Sequence, residues 1–225
     1  MTQTSYAELI GVCAGALLLT SVLTVWYRSQ RASVRALGAQ GVALAALVAV
    51  VAIDRAEAEL IPVIALVLVL KGLILPWVLS RRRTPVAGAR AVADQGEETI
   101  LLNPVASLVA AALLAVVAYA VTWPLVADSR NPAAHAAPVG VAMVLIGFLV
   151  LVTRRRAISQ LVGFLALDNG IGTVAFLVSG GVPLLLEFGA SLDILLVTLI
   201  LVVFSRQMRT VFGDTDVDRM RELHD

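Results

Sequence analysis

RRRAISQLVGFLALDNGIG, residues Arg154 to Gly172, sets three arginines at the head of an apolar run and a carboxylate, Asp168, deep inside it. A carboxylate carried into hydrocarbon pays a large desolvation cost unless it is paired, hydrogen-bonded or wet. The surroundings of Asp168 must therefore supply a partner, and the rest of the chain has to be searched for it.

Hydrophobic residues make up 60% of the 225 and charged residues 15%, with a mean hydropathy of +0.93. These values lie outside the range of water-soluble domains, and an all-α, polytopic membrane helix bundle is expected. The chain has one cysteine, Cys13, and two widely separated histidines, His135 and His224. Neither a disulfide framework nor a thiolate metal site can be assembled from them. No catalytic centre, metal or cofactor is expected in this chain, and the lipid bilayer, not nucleic acid, is its expected environment. Ahead of the first apolar run the N-terminus carries Glu8 and no basic region, so that segment is expected to stay in the membrane uncleaved.

A helix needs about 20 apolar residues to cross a hydrocarbon core. Seven stretches meet that length, at about 8–27, 34–53, 60–80, 100–123, 134–153, 157–178 and 185–205. The longest link, RRRTPVAGARAVADQGEET from Arg81 to Thr99, separates three helices from four. The organisation expected is a three-helix segment with its basic loop over 1–99, a fourth helix and loop over 100–133, a further three-helix segment over 134–212 and a polar tail over 213–225. Gly180, Gly181 and Pro183 form a turn signal that would fold the last two helices into an antiparallel hairpin.

Arginine placement predicts the orientation, because Lys and Arg are retained on the cytoplasmic side. Arg28, Arg31 and Arg35 follow the first helix, Arg81, Arg82, Arg83 and Arg90 the third, Arg154, Arg155 and Arg156 the fifth, and Arg206 and Arg209 the seventh. The alternate links hold only Arg55 and Arg130. That pattern calls for seven helices with the N-terminus outside and the C-terminus in the cytoplasm, as a multi-pass protein of a bacterial plasma membrane.

Three ionisable groups fall within the spans. Lys71, the one lysine of the chain, lies about 15 Å from either end of its helix; Asp168 is similarly central; Asp193 lies about 20 Å from Arg206. One reading is a proton relay, in which desolvation and mutual charge bring these groups into titration. The other is a static ion pair, Lys71 with Asp168 or with Asp193, that closes the bundle. Gln40, Asn103, Ser107, Gln160, Asn169 and Thr198 are polar neighbours able to bond between helices or hold water. Glu187 lies at an outer helix end, where a proton exit is the sharper reading and a solvated role the plainer one. Gly163, Gly170 and Gly172 permit close backbone approach, and Pro76 frees a backbone carbonyl near Lys71 or Gly72.

The runs IPVIALVLVLKGLILPWVLSRR around Lys71, GFLALDNGIG around Asp168, and LLLEFGASLDILLVTLILVVFSRQ followed by VFGDTDVDRMRELHD together resemble the hydrogenase-4 component E family. The last three helices are also similar to the K-type subunit of complex I and the C-type subunit of multisubunit sodium/proton antiporters. In those subunits two helices each carry a membrane glutamate implicated in proton transfer, and the matching neighbourhoods here are those of Asp168 and Asp193. Both are Asp in this chain, so each reaches about one bond less far. The resemblance implies a membrane subunit without a redox centre, in a formate hydrogenlyase-like or other group 4 nickel-iron hydrogenase complex. Its implied partners are antiporter-like membrane subunits, a hydrogenase-type membrane anchor and a peripheral redox arm. A passive assembly subunit, a subunit of a multisubunit cation/proton antiporter and an independent transporter remain as alternatives.

Overall fold

The computed structural model describes residues 2–57, 60–80, 103–129 and 131–179. Six helices among them are long and apolar enough to cross a membrane: α1 (Gln3–Trp26), α2 (Gln30–Arg55), α3 (Ile61–Ser80), α4 (Pro104–Val126), α5 (Ala137–Thr153) and α6 (Ala157–Ser179). A 3₁₀ turn, Pro132–Ala136, leads into α5. The expected seventh helix, the Gly180–Pro183 turn, the Arg81–Thr99 link and the tail from Gly213 lie outside the described residues, and with them Asp193, Glu187 and Thr198.

Three of the described helices, α1, α2 and α4, begin where the sequence offers a side-chain oxygen to the first free amides. Thr2 accepts from the Ser5 amide, Ser29 from Ala32 and Asn103 from Val105. Such caps satisfy donors that have no partner in the helix itself. They move two starts from where hydropathy alone put them: α1 begins at Gln3 rather than near residue 8, and α4 at Pro104 rather than near 100.

The helix ends gather into two groups. Val34 and Leu37 of α2, Leu75 and Leu79 of α3, and Leu161 and Val162 of α6 form one buried cluster. This end also receives the link Arg154–Arg156, whose first guanidinium reaches the last turn of α1. At the opposite end the Asn131 side-chain amide, just ahead of α5, donates to the Leu177 carbonyl near the end of α6 at 3.2 Å. The arginines of the first link and of the α5–α6 link therefore lie at the same end of the bundle.

Arg154, at this end of the bundle, is buried. Its side chain is only 3% exposed, and its Nη2 donates to the carbonyls of Thr24, Val25 and Tyr27 at 3.2, 3.1 and 2.8 Å. These carbonyls belong to the negative end of the α1 dipole and have lost their helical donors, so a cation is bound there by both charge and hydrogen bonds.

α5 and α6 form the most extensive helix pair, an antiparallel hairpin closed by a three-residue link. Glycines spaced seven apart on each helix make the seam: Gly140 and Gly147 on α5, Gly163 and Gly170 on α6. A methyl group on Gly147 would sit 2.6 Å from the Leu167 amide nitrogen, and one on Gly170 2.7 Å from that of Val144. The two backbones are in contact, with no room for side chains between them. Toward the outside, α4 presents a continuous apolar face, with Val105, Val116 and Leu125 all more than 60% exposed. In a bilayer such a face needs no protein cover.

Candidate functional site

The centre of the bundle is built from α2, α3 and α6. Lys71 sits near the middle of α3, ten residues after Ile61, and Asp168 near the middle of α6, so both lie about 15 Å from their helix ends. The Lys71 ammonium approaches Asp168 Oδ2 to 2.9 Å, with the lysine side chain 6% and the carboxylate 18% exposed. One turn further along α6, Gly172 leaves open the space beside the ammonium: a methyl group there would lie 3.6 Å from Lys71 Nζ. The carboxylate and the glycine, four residues apart on one helix face, form the seat for the lysine head.

Around Lys71 the α3 backbone is not a regular α-helix. Residues Leu68–Ile74 wind as a π-helix, and the α form resumes at Leu75, ahead of Pro76. Pro76 has no amide to donate and its ring crowds the carbonyl four residues back, that of Gly72. The wider turn accommodates this where a uniform α-helix would clash. The freed segment leans on α2: a methyl group on Gly38 would meet Pro76 Cγ at 3.1 Å and the Gly72 carbonyl at 3.3 Å, and one on Gly41 would lie 2.6 Å from the Lys71 carbonyl carbon. Long π segments are rare and concentrate where a side chain must be placed off the regular helical register.

A second set of polar groups runs alongside. The Asn169 side-chain amide donates to Gln40 Oε1 at 3.2 Å, the Gln40 amide donates to Ser21 Oγ at 2.7 Å, and the Ser21 hydroxyl donates to the Leu17 carbonyl at 2.9 Å. Gln40 is fully buried and Asn169 2% exposed. This line joins α1, α2 and α6 and carries no formal charge.

Of the residues singled out in the sequence, the structure thus brings Lys71, Asp168, Asn169 and Gln40 to one level of the bundle. It places Asn103 and Ser107 elsewhere, on α4, which packs chiefly against α5 and then α1. Asn103 is exposed and serves as the N-cap, and Ser107 Oγ is buried without a hydrogen-bond partner among the described residues. Gln160, in the first turn of α6, donates to the Arg154 carbonyl of the α5–α6 link at 3.0 Å. Two contributors were not singled out. Gly41 brings the lysine backbone against α2, and its signal was the pair Gly38 and Gly41 bracketing Gln40. Ser21 ends the amide line, and a lone serine in an apolar run gives no such signal. Among the described residues no group of three or more His, Cys, Asp or Glu side chains is arranged to hold a metal ion.

The uncharacterized protein Rv0085 of Mycobacterium tuberculosis is 44% identical to this chain over 225 residues, the full length of both. The chain belongs to the family of that protein. Hydrogenase-4 component E of Escherichia coli is 24% identical over 210 residues, covering 93% of this chain and 94% of the relative, and the component E of Shigella flexneri matches equally. The likeness to component E is thus a distant homology that runs almost end to end. No family model matches the chain, and no solved structure matches it.

Proposed function

We propose that this chain is a membrane subunit of a complex I-related hydrogenase or formate hydrogenlyase-like complex, and that the Lys71–Asp168 pair is a proton relay within it. The observation that carries the reading is the pair itself: an amine and a carboxylate 2.9 Å apart at mid-span, where ionisable groups are expensive and mark ion or proton paths. The distant homology with hydrogenase-4 component E supports the choice of complex. In this reading seven helices span a bacterial plasma membrane, with the N-terminus outside and the C-terminus in the cytoplasm. Asp193 on the last of them extends the relay, and Glu187 lies toward the exit. The partners are antiporter-like subunits on one flank and a hydrogenase-type anchor with its redox arm on the other. The redox chemistry belongs to those partners.

A proton delivered to Asp168 neutralises the carboxylate and loosens its hold on the ammonium; departure of the proton restores the pair. Replacement of Asp168 by Asn keeps an oxygen acceptor for Lys71 but removes the titrating group. In inverted membrane vesicles, Asp168→Asn is expected to lower proton uptake about tenfold or more for each complex that assembles, counted on a native gel because the substitution leaves Lys71 without its counter-charge. Parental uptake in this variant removes the relay.

The second reading is a static strut, favoured by the short, largely buried contact between the two groups. It predicts the opposite pairing of results, loss of the assembled complex with no separate defect in uptake by whatever complex remains.

A further inference from the structure

Two consecutive residues of α2 meet the two helices that carry the ion pair. Gly41 touches the backbone of the helix that carries Lys71: a methyl group on it would overlap the Lys71 carbonyl carbon and oxygen and the Gly72 nitrogen, at 2.6 to 2.7 Å. Gln40 holds the helix that carries Asp168: its Oε1 accepts from Asn169, the residue next to Asp168, and its amide is anchored on Ser21 of α1. The α3 contact is steric and the α6 contact is a directed hydrogen bond.

The difference matters for the rotation of α6. Neighbouring residues on a helix project about 100° apart, so the direction of Asn169 fixes that of Asp168. α6 also meets α5 along the glycine seam, α2 and α3 through the apolar cluster around Leu161, and the Asn131 amide at its Leu177 carbonyl; the Asn169–Gln40 bond acts on the residue next to Asp168 itself. An amide line is also a poor conductor of protons, because the amide nitrogen holds its lone pair in resonance with the carbonyl. It is well suited to fixing a geometry.

We infer that Gln40 is a positioning residue for the Lys71–Asp168 pair: through Asn169 it sets the rotation of α6 that points the carboxylate at the ammonium, while Gly41 beside it fixes the depth of the lysine. The geometric claim stands on the contacts alone, and its consequence for proton transfer rests on the relay reading above.

Because Lys71 is the one lysine of the chain, uniform labelling with ¹⁵Nζ-lysine marks a single atom. The full chain, labelled also with ¹³Cγ-aspartate and placed in lipid vesicles, allows the ammonium–carboxyl distance to be read by solid-state dipolar recoupling. The parent is expected to show strong dephasing that Asp168→Asn abolishes. Gln40→Met, which keeps the length and removes the hydrogen bonds, is expected to lose at least about half of it, a direct consequence of the steep distance dependence once the carboxylate swings away. Should Gln40→Met fail to insert, Gln40→Asn carries the same comparison, since it shortens the amide by one methylene, and the exchange Gln40→Asn with Asn169→Gln restores the total reach and the dephasing. Parental dephasing in the inserted Gln40 variant overturns the inference. Absence of dephasing in the parent removes the pair itself. Neither result depends on whether protons move, so a failure of the relay reading and a failure of this one are read separately.

Discussion

Arg154 shows most clearly that a charged residue can hold two roles at once. Its charge marks a helix end in the way that topology rules use, yet its guanidinium is buried on three carbonyls of α1. Arg154→Gln leaves those carbonyls without a cationic donor, and the expected cost is about 2 kcal/mol. Thermal unfolding of the full chain in mild detergent measures it, and Arg155→Gln, on a half-buried neighbour, provides the comparison. The position of Arg154 was legible in the sequence, since three arginines in a row after an apolar run announce a boundary. Its contact was not, because the acceptors lie more than a hundred residues away on another helix. The same limit applied to Lys71. Its need for a carboxylate partner followed from burial cost alone, but Asp168 and Asp193 satisfied that argument equally, and the packing of both α3 and α6 on α2 is what brings Asp168 to 2.9 Å.

Among the elements, α3 and the α5–α6 hairpin departed from a regular helix pair in ways the sequence flagged without specifying. Pro76 announced a disturbed carbonyl near Gly72; the response, seven residues of π-helix with Lys71 in the middle, depends on the Gly38 and Gly41 contacts from α2. The glycines of α5 and α6 repeat at seven residues, the spacing that keeps one face against a partner helix. A methyl group at Gly147 has backbone, not a flexible side chain, 2.6 Å away. Gly147→Ala is therefore expected to force the hairpin apart and to destabilise the chain by about 1 to 3 kcal/mol, seen as a lowered unfolding temperature. Gly15, with nothing within 4 Å of an added methyl group, is the control, and Gly15→Ala is expected to leave it unchanged or slightly raised.

At the scale of the whole molecule, the membrane class followed from composition, and the six described spans followed from runs of apolar residues of sufficient length. Packing order did not follow, because in lipid every apolar face is equally acceptable outside, and small residues and polar contacts decide which helices meet. Among the described residues the middle level of the bundle holds the Lys71–Asp168 ion pair and the Asn169–Gln40–Ser21 amide line, with Gln40 and Gly41 of α2 meeting the helices that carry the pair.

A double replacement separates proton transfer by the Lys71–Asp168 pair from a structural role. Exchanging both partners of a buried ion pair for apolar residues of similar volume is often close to neutral for stability, whereas removing one leaves an uncompensated charge. Lys71→Met with Asp168→Leu is expected to assemble as well as the parent on a native gel, while proton uptake by inverted vesicles falls about tenfold or more. Parental uptake by the fully assembled double variant would mean that the pair carries no protons.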